Sequence, residues 1–356
     1  MKAPITFAIA GFGDRGSTYA SMQKLFPDRM KVVAVADINP EKVQKAKELY
    51  GIKDELCFTS AEEMLAQDKL ADVMVVSTMD RQHVNHAIPA LEKGYNILME
   101  KPISPDLQEC KRIIEVAKHC PGKIIVCHVL RYTTFYNTLK SILDSKKIGD
   151  VVSVCANENV GYWHQAHSFV RGNWRRADIA SPSIMQKSCH DMDLLNWLMG
   201  AQAKRISSCG SLHYFKESNA PAGSTARCAD CPVEGRCRFS AYKSYLPAAG
   251  DWPAAVITSS SDPNVLRKEL DHSPYGRCVY RCDNDVCDQQ VVAVEYEGGQ
   301  TASFNMSAFT NRMTRTIHVM CEDGEIFGDD GLHEIEVLSF SSNQVEGYQS
   351  EMIHVS

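Results

Sequence analysis

The sequence predicts a two-domain α/β protein: a doubly wound parallel sheet, then an α+β domain built on an open, mostly antiparallel sheet. Three observations predict it. Apolar strand-like runs alternate with helical stretches over residues 1–127, the apolar pattern then changes to period two, and 356 residues exceed one ordinary core. The predicted division is 1–127 and 128–356, the second part carrying a Cys-rich insertion at about 215–288.

The first strand, Ile5 to Ala10, runs directly into Gly11-Phe12-Gly13-Asp14-Arg15-Gly16. A strand ending in glycines that open a helix lets backbone N–H groups approach a pyrophosphate, while the positive helix end stabilises its charge. The second strand, Val32 to Ala36, ends in Asp37, where a carboxylate can accept hydrogen bonds from an adenosine ribose. That carboxylate repels a 2′-phosphate, and Ile38, Asn39 and Pro40 supply no cation to receive one. The pattern therefore predicts a dinucleotide site that prefers NAD to NADP. Further strands at Val73–Ser77, Asn96–Met99 and Lys123–Val126, with helices near 15–25, 40–49, 60–67, 81–93 and 105–118, complete a parallel sheet covered on both faces. Ligands meet such sheets at the carboxyl ends of the strands, which singles out Ser77, Thr78, Glu100 and Lys101.

Arg131 to Leu143 reads as a linking helix. Period-two runs follow at 151–155, 203–214, 290–296, 300–306, 315–321 and 333–339, the signature of half-buried strands. Between the first two lies a predicted helix, Ile184 to Met199, closed by Gly200 and buried through Leu194, Leu195 and Leu198. On that helix Gln186, His190 and Asp193 share another face, with Lys187 adjacent.

The glycine turn, Asp37, His83, Ala90-Leu91-Glu92-Lys93-Gly94, Glu100-Lys101-Pro102 and the helix carrying His190 together resemble the Gfo/Idh/MocA family, the glucose-fructose oxidoreductase and inositol dehydrogenase group, along most of the chain. The resemblance implies a Rossmann domain in which Lys101 lies beside the nicotinamide and hydrogen-bonds the reacting hydroxyl. It also implies a Lys101-Pro102 cis bond, His190 as the second catalytic residue, and a sheet that supports homo-dimers or homo-tetramers. The expected cofactor contacts are Gly11, Phe12, Gly13, Asp14, Arg15, Gly16, Asp37, Ser77, Thr78, His83, Glu100 and Lys101. Two departures stand out. Sugar and inositol dehydrogenases of the family usually place Asp four residues before the histidine, whereas this chain has Gln186, an amide that can hydrogen-bond a substrate but takes no proton near neutral pH. His190 then acts as acid and base alone or with Lys187. Members of the family also commonly finish with a helix that packs back on the nucleotide domain, whereas this sequence stops at Ile353-His354-Val355-Ser356, soon after strand-like residues.

Residues 161–176 are rich in aromatics, histidines and arginines without a regular period. Aromatic faces stack on sugar rings and Arg grips carboxylates, so the stretch reads as a substrate loop for an oxygen-rich carbohydrate, the alternative being a loop packed into the core. Tyr162, His164, Arg171 and Trp174 are its candidate contacts, beside Gln186 and Lys187. In the insertion, Cys228, Cys231 and Cys237 can point three thiolates at one centre, with Cys282, or Cys278, as a fourth ligand for structural zinc. An iron–sulfur cluster, disulfides and free thiols are the alternatives. The flanks, 218–226 and 246–276, look too poor in apolar periodicity to fold unaided. Asp283, Asn284, Asp285 and Asp288 read as a turn, and cysteines such as Cys127, Cys155 and Cys189 as small buried hydrophobes.

A formal charge of −6 without a basic block gives no electrostatic footprint for nucleic acid. No run approaches the roughly 18 apolar residues of a membrane span, and Met1-Lys2-Ala3-Pro4 enters the first strand without a cleavage pattern, so a cytoplasmic protein is expected. The expected function is hydride transfer between NAD and a secondary alcohol of a sugar, sugar acid or cyclitol. An NAD-dependent glycosidase working by transient oxidation and elimination is the alternative, and a non-catalytic dinucleotide-sensing regulator is a second one.

Overall fold

The apolar runs of the first 128 residues become a parallel sheet because helices cover both of its faces. The computed structural model describes residues 3–341 and 347–355, and its chain divides into two units, Met1–His128 and Val129–Ser356. The first contains β1 (Ile5–Ala10), α1 (Asp14–Leu25), β2 (Met30–Ala36), α2 (Pro40–Tyr50), β3 (Cys57–Phe58), α3 (Ala61–Ala66), β4 (Val73–Val76), α4 (His83–Glu92), β5 (Asn96–Met99), α5 (Leu107–His119) and β6 (Ile124–Val126). Its strand order is β3-β2-β1-β4-β5-β6, all parallel. Central positions such as Ala8, Ile9, Met74 and Val75 are fully buried. Ala8 and Met74 pack into one core layer and Ile9 and Val75 into the other, as alternation across a two-sided sheet requires. Helix ends follow local chemistry. Asn39 caps α2 by accepting from the Glu41 N–H, Gly51 closes it with φ +64°, and Asp106 caps α5 through the N–H groups of Gln108 and Glu109.

The second unit contains α6 (Thr134–Asp144), β7 (Val151–Asn159), α7 (Tyr162–His164), α8 (Ser183–Gln186), α9 (Cys189–Met199), β8 (Ala203–Ser211), α10 (Ala241–Tyr245), α11 (Pro263–His272), β9 (Gln289–Tyr296), β10 (Thr301–Ser307), β11 (Thr314–Cys321), β12 (Gly324–Asp329), β13 (Glu334–Ser339) and β14 (Gln349–His354). The sheet order is β14-β13-β12-β11-β7-β10-β9-β8, antiparallel throughout except for the parallel β7–β10 pair. One face packs under α6 and α9: Phe135, Leu139, Leu194, Leu195 and Leu198 join Val154, Val292, Phe304, Ile317 and Val319 in a single core. Residues of opposite parity, among them Val291 and Phe327, lie exposed on the other face. Cys155 belongs to that face and is exposed, so the expectation that it is buried is corrected: the pleat turns it away from the core.

The insertion folds more fully than its composition suggests. α11 has the periodicity that the expectation for 246–276 missed, burying Leu266 and Leu270 against Ala241, Tyr245 and Ala254. Phe215, Phe239, Val279 and Tyr280 form a second small core with Ala166 and Val170. Asp288, fully buried, accepts the backbone N–H groups of His213 and Tyr214 at 2.9 and 2.7 Å, which anchors the entry to the insertion beside its exit.

Candidate functional site

In the first unit the glycine turn is shaped by what lies against it. Gly11 has φ +89°, and a Cβ there would sit 2.6 Å from the Ser77 carbonyl oxygen; at Gly16 it would lie 2.0 Å from the Gly11 oxygen. Gly13 differs, because nothing lies within 4 Å of the position its Cβ would take. It also precedes α1 without any side-chain cap, so the first amides of a 12-residue helix are left for an anion. Asp37 folds onto the same turn, its Oδ2 accepting the Phe12 N–H at 2.7 Å and its Oδ1 the Asn39 N–H at 2.8 Å. Each oxygen keeps a lone pair for a hydroxyl. An open backbone position at an uncapped helix start, beside a carboxylate at the end of β2, fits a dinucleotide.

A frame surrounds Lys101. His83, 1% exposed, joins the Pro102 oxygen through Nδ1 at 2.7 Å and the Thr78 oxygen through Nε2 at 3.0 Å. The Lys101-Pro102 bond it braces is cis. Arg15 and Glu100 pair with each other, Nε to Oε1 at 2.9 Å, the Tyr19 hydroxyl donates to the same oxygen, and Glu100 Oε2 takes the Lys101 N–H at 3.1 Å. Arg15, His83 and Glu100 are thus engaged with protein partners that set the backbone of Lys101. Ser77 donates to the Gly11 oxygen at 2.7 Å, and Thr78 leads through His86, at 3.0 Å, to Glu62, at 3.0 Å. Tyr19 and His86 were not singled out by sequence, although each lies one helical turn beyond a residue that was, Arg15 and His83.

The second unit departs from the predicted single helix. The helix is broken at Lys187 and Ser188, giving α8 and α9, so Gln186 does not share the α9 face with His190 and Asp193. The cause is ionic. Lys187 turns to the buried Glu158, Nζ to Oε1 at 3.1 Å, while Arg315 contacts Glu158 and places its Nε 2.7 Å from Asp191 Oδ1. Burial pushes the Asp191 carboxyl upward, opposed by the Arg315 charge. Asp193 receives Arg131 in bidentate fashion, at 2.6 and 2.5 Å. His190 therefore sits half-buried on a helix pinned through both Asp191 and Asp193, with Gln186 buried in the turn before it. Glu158 and Arg315, directly opposite each other in the β7–β11 register, were missed by sequence, since opposite charges in separate strands become a pair only once the register is known.

Residues 162–171 are not an irregular loop but α7 continuing into a π-helical stretch, Gln165–Arg171, whose seven residues are all buried. Arg171, expected to grip a substrate, is corrected: it is 1% exposed and donates to the Arg277 and Phe239 carbonyl oxygens, each at 2.7 Å. Trp174 packs against the main core and Tyr162 stands edge-on to Phe239 at 5.9 Å. His164 keeps aromatic company with Trp163 and with Trp252 of the insertion, which is 44% exposed. Burial, then the Lys187 charge, lowers His164 to about 3; burial, then Arg171, lowers His167 to about 4, so both imidazoles are neutral near pH 7.

Among the described residues, no three His, Cys, Asp or Glu side chains are gathered closely enough to hold a metal as they stand, and all the cysteines are free thiols. The expected set of Cys228, Cys231, Cys237 and Cys282 is not assembled, because the Cys282 thiol donates to the Cys278 carbonyl at 3.3 Å. Asp283 pairs with Arg175 and Arg277, whose hydrogen bonds hold its carboxyl well below the usual range. No helix among the described residues is long and apolar enough to cross a membrane.

Comparison with known proteins bears on both units. A family profile described as "Oxidoreductase family, NAD-binding Rossmann fold" matches residues 5–128, and one described as "Oxidoreductase family, C-terminal alpha/beta domain" matches residues 140–352. The chain is 24% identical over 292 residues to the Bacillus subtilis protein YteT, an oxidoreductase by name, the match covering 80% of this chain and 67% of that protein. It is 26% identical over 177 residues to inositol 2-dehydrogenase of Klebsiella pneumoniae, covering 49% of this chain and 48% of the relative. The match thus spans about half the length of that dehydrogenase. The fold is shared with a structure of levoglucosan dehydrogenase in complex with NADH and levoglucosan, at a TM-score of 0.69 and 17% identity, covering 99% of this chain and 80% of that one.

Proposed function

The chain belongs to the Gfo/Idh/MocA family of NAD-binding oxidoreductases, and from that premise we propose that it transfers hydride between NAD and a secondary alcohol of a sugar, sugar acid or cyclitol. The observation that carries the cofactor half is the open position at Gly13, on an uncapped helix start and beside Asp37. Gly11, Gly13 and the first amides of α1 would hold the pyrophosphate, and Asp37 the adenosine ribose. When bound, NAD supplies the hydride acceptor. Lys101, its backbone set by Glu100 and by His83 acting through Pro102, hydrogen-bonds the substrate hydroxyl. His190 receives the hydroxyl proton, an imidazole being suited to exchange it near neutral pH. Gln186 can orient the substrate by hydrogen bonds but cannot take the proton. The names of the inositol and levoglucosan dehydrogenases support a polyhydroxylated ring as substrate class.

The test is a titration with NAD and NADH, followed by a panel of uronates, aldoses, inositols and aryl glycosides monitored at the NADH absorbance. Steady NADH formation with one member supports the reading. Release of an aglycone without net NADH replaces it with transient oxidation and elimination, and absence of dinucleotide binding overturns both.

A further inference from the structure

Among the described residues Arg171 is the largest fully buried side chain, and it forms no ion pair with a carboxylate. Its two carbonyl partners are neutral and leave the guanidinium charge uncompensated, a costly arrangement in an interior. Besides these carbonyls the guanidinium hydrogen-bonds the neutral Tyr245 hydroxyl, and its Nη2 lies 3.8 Å from Cys228 Sγ, which also accepts the Ala241 N–H at 3.4 Å. Two donors aimed at one sulfur suit a thiolate, and hydrogen bonds of this kind surround sulfur ligands of metals.

The backbone gathers three more cysteines around it. Arg227 and Arg277 form an antiparallel bridge, flanked by bonds from the Cys228 N–H to the Gly276 oxygen at 3.0 Å and from the Cys278 N–H to the Ala226 oxygen at 2.9 Å. In that register Cys228 and Cys278 are diagonal neighbours on one face of the ribbon, opposite the face of Arg227 and Arg277. Successive tight turns then carry Cys231 and Cys237 back: the Cys231 N–H bonds the Cys228 oxygen at 3.3 Å, the Glu234 N–H the Cys231 oxygen at 3.1 Å, and the Cys237 N–H the Glu234 oxygen at 3.0 Å.

We propose that Cys228, Cys231, Cys237 and Cys278 bind one zinc ion as a structural four-thiolate centre, with Arg171 as its buried counter-charge. The four sulfurs are not drawn to one point as they stand, so the proposal requires their side chains to turn onto the ion when it binds. Binding releases the thiol protons to solvent, and four thiolates around a divalent cation leave a net charge of −2, part of which Arg171 offsets. Cys278 is taken as the fourth ligand in place of Cys282 because the ribbon register puts it on the face of Cys228, whereas the Cys282 thiol donates to the Cys278 carbonyl. The centre fastens the Cys-x2-Cys turn to the return strand of the insertion and to Arg171 at the end of the π-helical stretch.

The experiment uses the full chain purified without chelator. Elemental analysis is expected to give one zinc per chain, released by an organomercurial in a chromophoric indicator assay. Cobalt substitution is expected to produce the intense thiolate charge-transfer and d–d bands of a tetrahedral sulfur site. Cys278→Ser should abolish these bands while Cys282→Ser keeps them, and Arg171→Met should weaken cobalt binding by roughly 10- to 100-fold. Metal-free protein that gives no cobalt spectrum overturns the proposal, as does iron with broad visible absorbance in place of zinc. Because Cys278→Ser can fail to fold, the spectrum of the unmodified chain and that of Cys282→Ser decide independently: loss of the bands in Cys282→Ser also overturns it. None of these readouts depends on dinucleotide binding or turnover.

Discussion

Replacing Gly13 by Ala separates cofactor binding from folding, because the structure gives the two different dependences on that position. Gly13 has φ −76° and ψ −159°, extended backbone that alanine adopts, and its added Cβ would meet no protein atom within 4 Å. Alanine is a poorer cap than glycine, but it reduces the entropy of the unfolded chain, so the net change in stability stays within about 1 kcal/mol. A dinucleotide at the start of α1 is affected differently. The methyl group pushes a phosphate off the helix amides, and losing one charge-assisted hydrogen bond costs about 1.5–3 kcal/mol. At 1.4 kcal/mol per decade, Kd for NADH should rise by roughly 10- to 150-fold. Gly16→Ala is the contrasting control, since its Cβ would lie 2.0 Å from the Gly11 oxygen; the backbone must shift, and stability should fall by about 1–3 kcal/mol. Calorimetric titration with NADH and thermal melts of the two variants provide the comparison. A Gly13→Ala protein that melts normally and binds NADH as tightly as the unmodified chain would refute the assignment of this turn to the pyrophosphate.

Lys101→Met and His190→Gln should each lower kcat by about 10²–10⁴-fold with NADH affinity almost unchanged, measured on whichever substrate the panel identifies; a smaller loss removes that residue from proton handling. Arg315→Met leaves Glu158 and Asp191 buried without their shared cation and should destabilise the second unit by about 3–5 kcal/mol, read as a lower urea midpoint; an unchanged midpoint would show that the network carries no stability. His164 and His167 are lowered to about 3 and 4, so the native state binds fewer protons than the unfolded chain below about pH 6.5. Their stabilising effect is complete above that pH and is lost as pH falls, by about 2 kcal/mol per histidine at pH 5, and urea midpoints at pH 7 and pH 5 should differ accordingly, the difference shrinking in His167→Phe.

The parallel sheet was legible because its signals are local: each apolar run, glycine turn and helix cap is contained within a few consecutive residues. Gly11, Asp37 and Lys101 could be placed at strand ends for the same reason. β12 and β14 escaped notice. In Gly324-Glu325-Ile326-Phe327-Gly328-Asp329 two glycines interrupt the pattern, and Gln349–His354 has few apolar side chains because most of β14 is exposed. The reading of Arg171 as a substrate contact failed on a general point. An arginine beside aromatics has the same composition whether it faces a ligand or a core, and only the folded insertion, which places the Arg277 and Phe239 carbonyls against it, decides between them.

The broken helix before His190 follows from a conflict between local and long-range demands. Ile184 to Met199 has the periodicity and the closing glycine of one continuous helix, yet the helix is interrupted at Lys187 and Ser188, where Lys187 pairs with Glu158. Glu158 is buried on β7 opposite Arg315 of β11, and one arginine serves both it and Asp191. Two buried carboxylates with a single cation leave an excess negative charge, whose cost in a low-dielectric interior exceeds that of a few helical hydrogen bonds. Lys187 supplies the second cation, and the helix breaks where that side chain turns inward. The consequence reaches the proposed chemistry: α9 begins beside an electrically balanced cluster that fixes Asp191, the residue next to His190, so the start of the helix that carries His190 is tied to the sheet through Arg315.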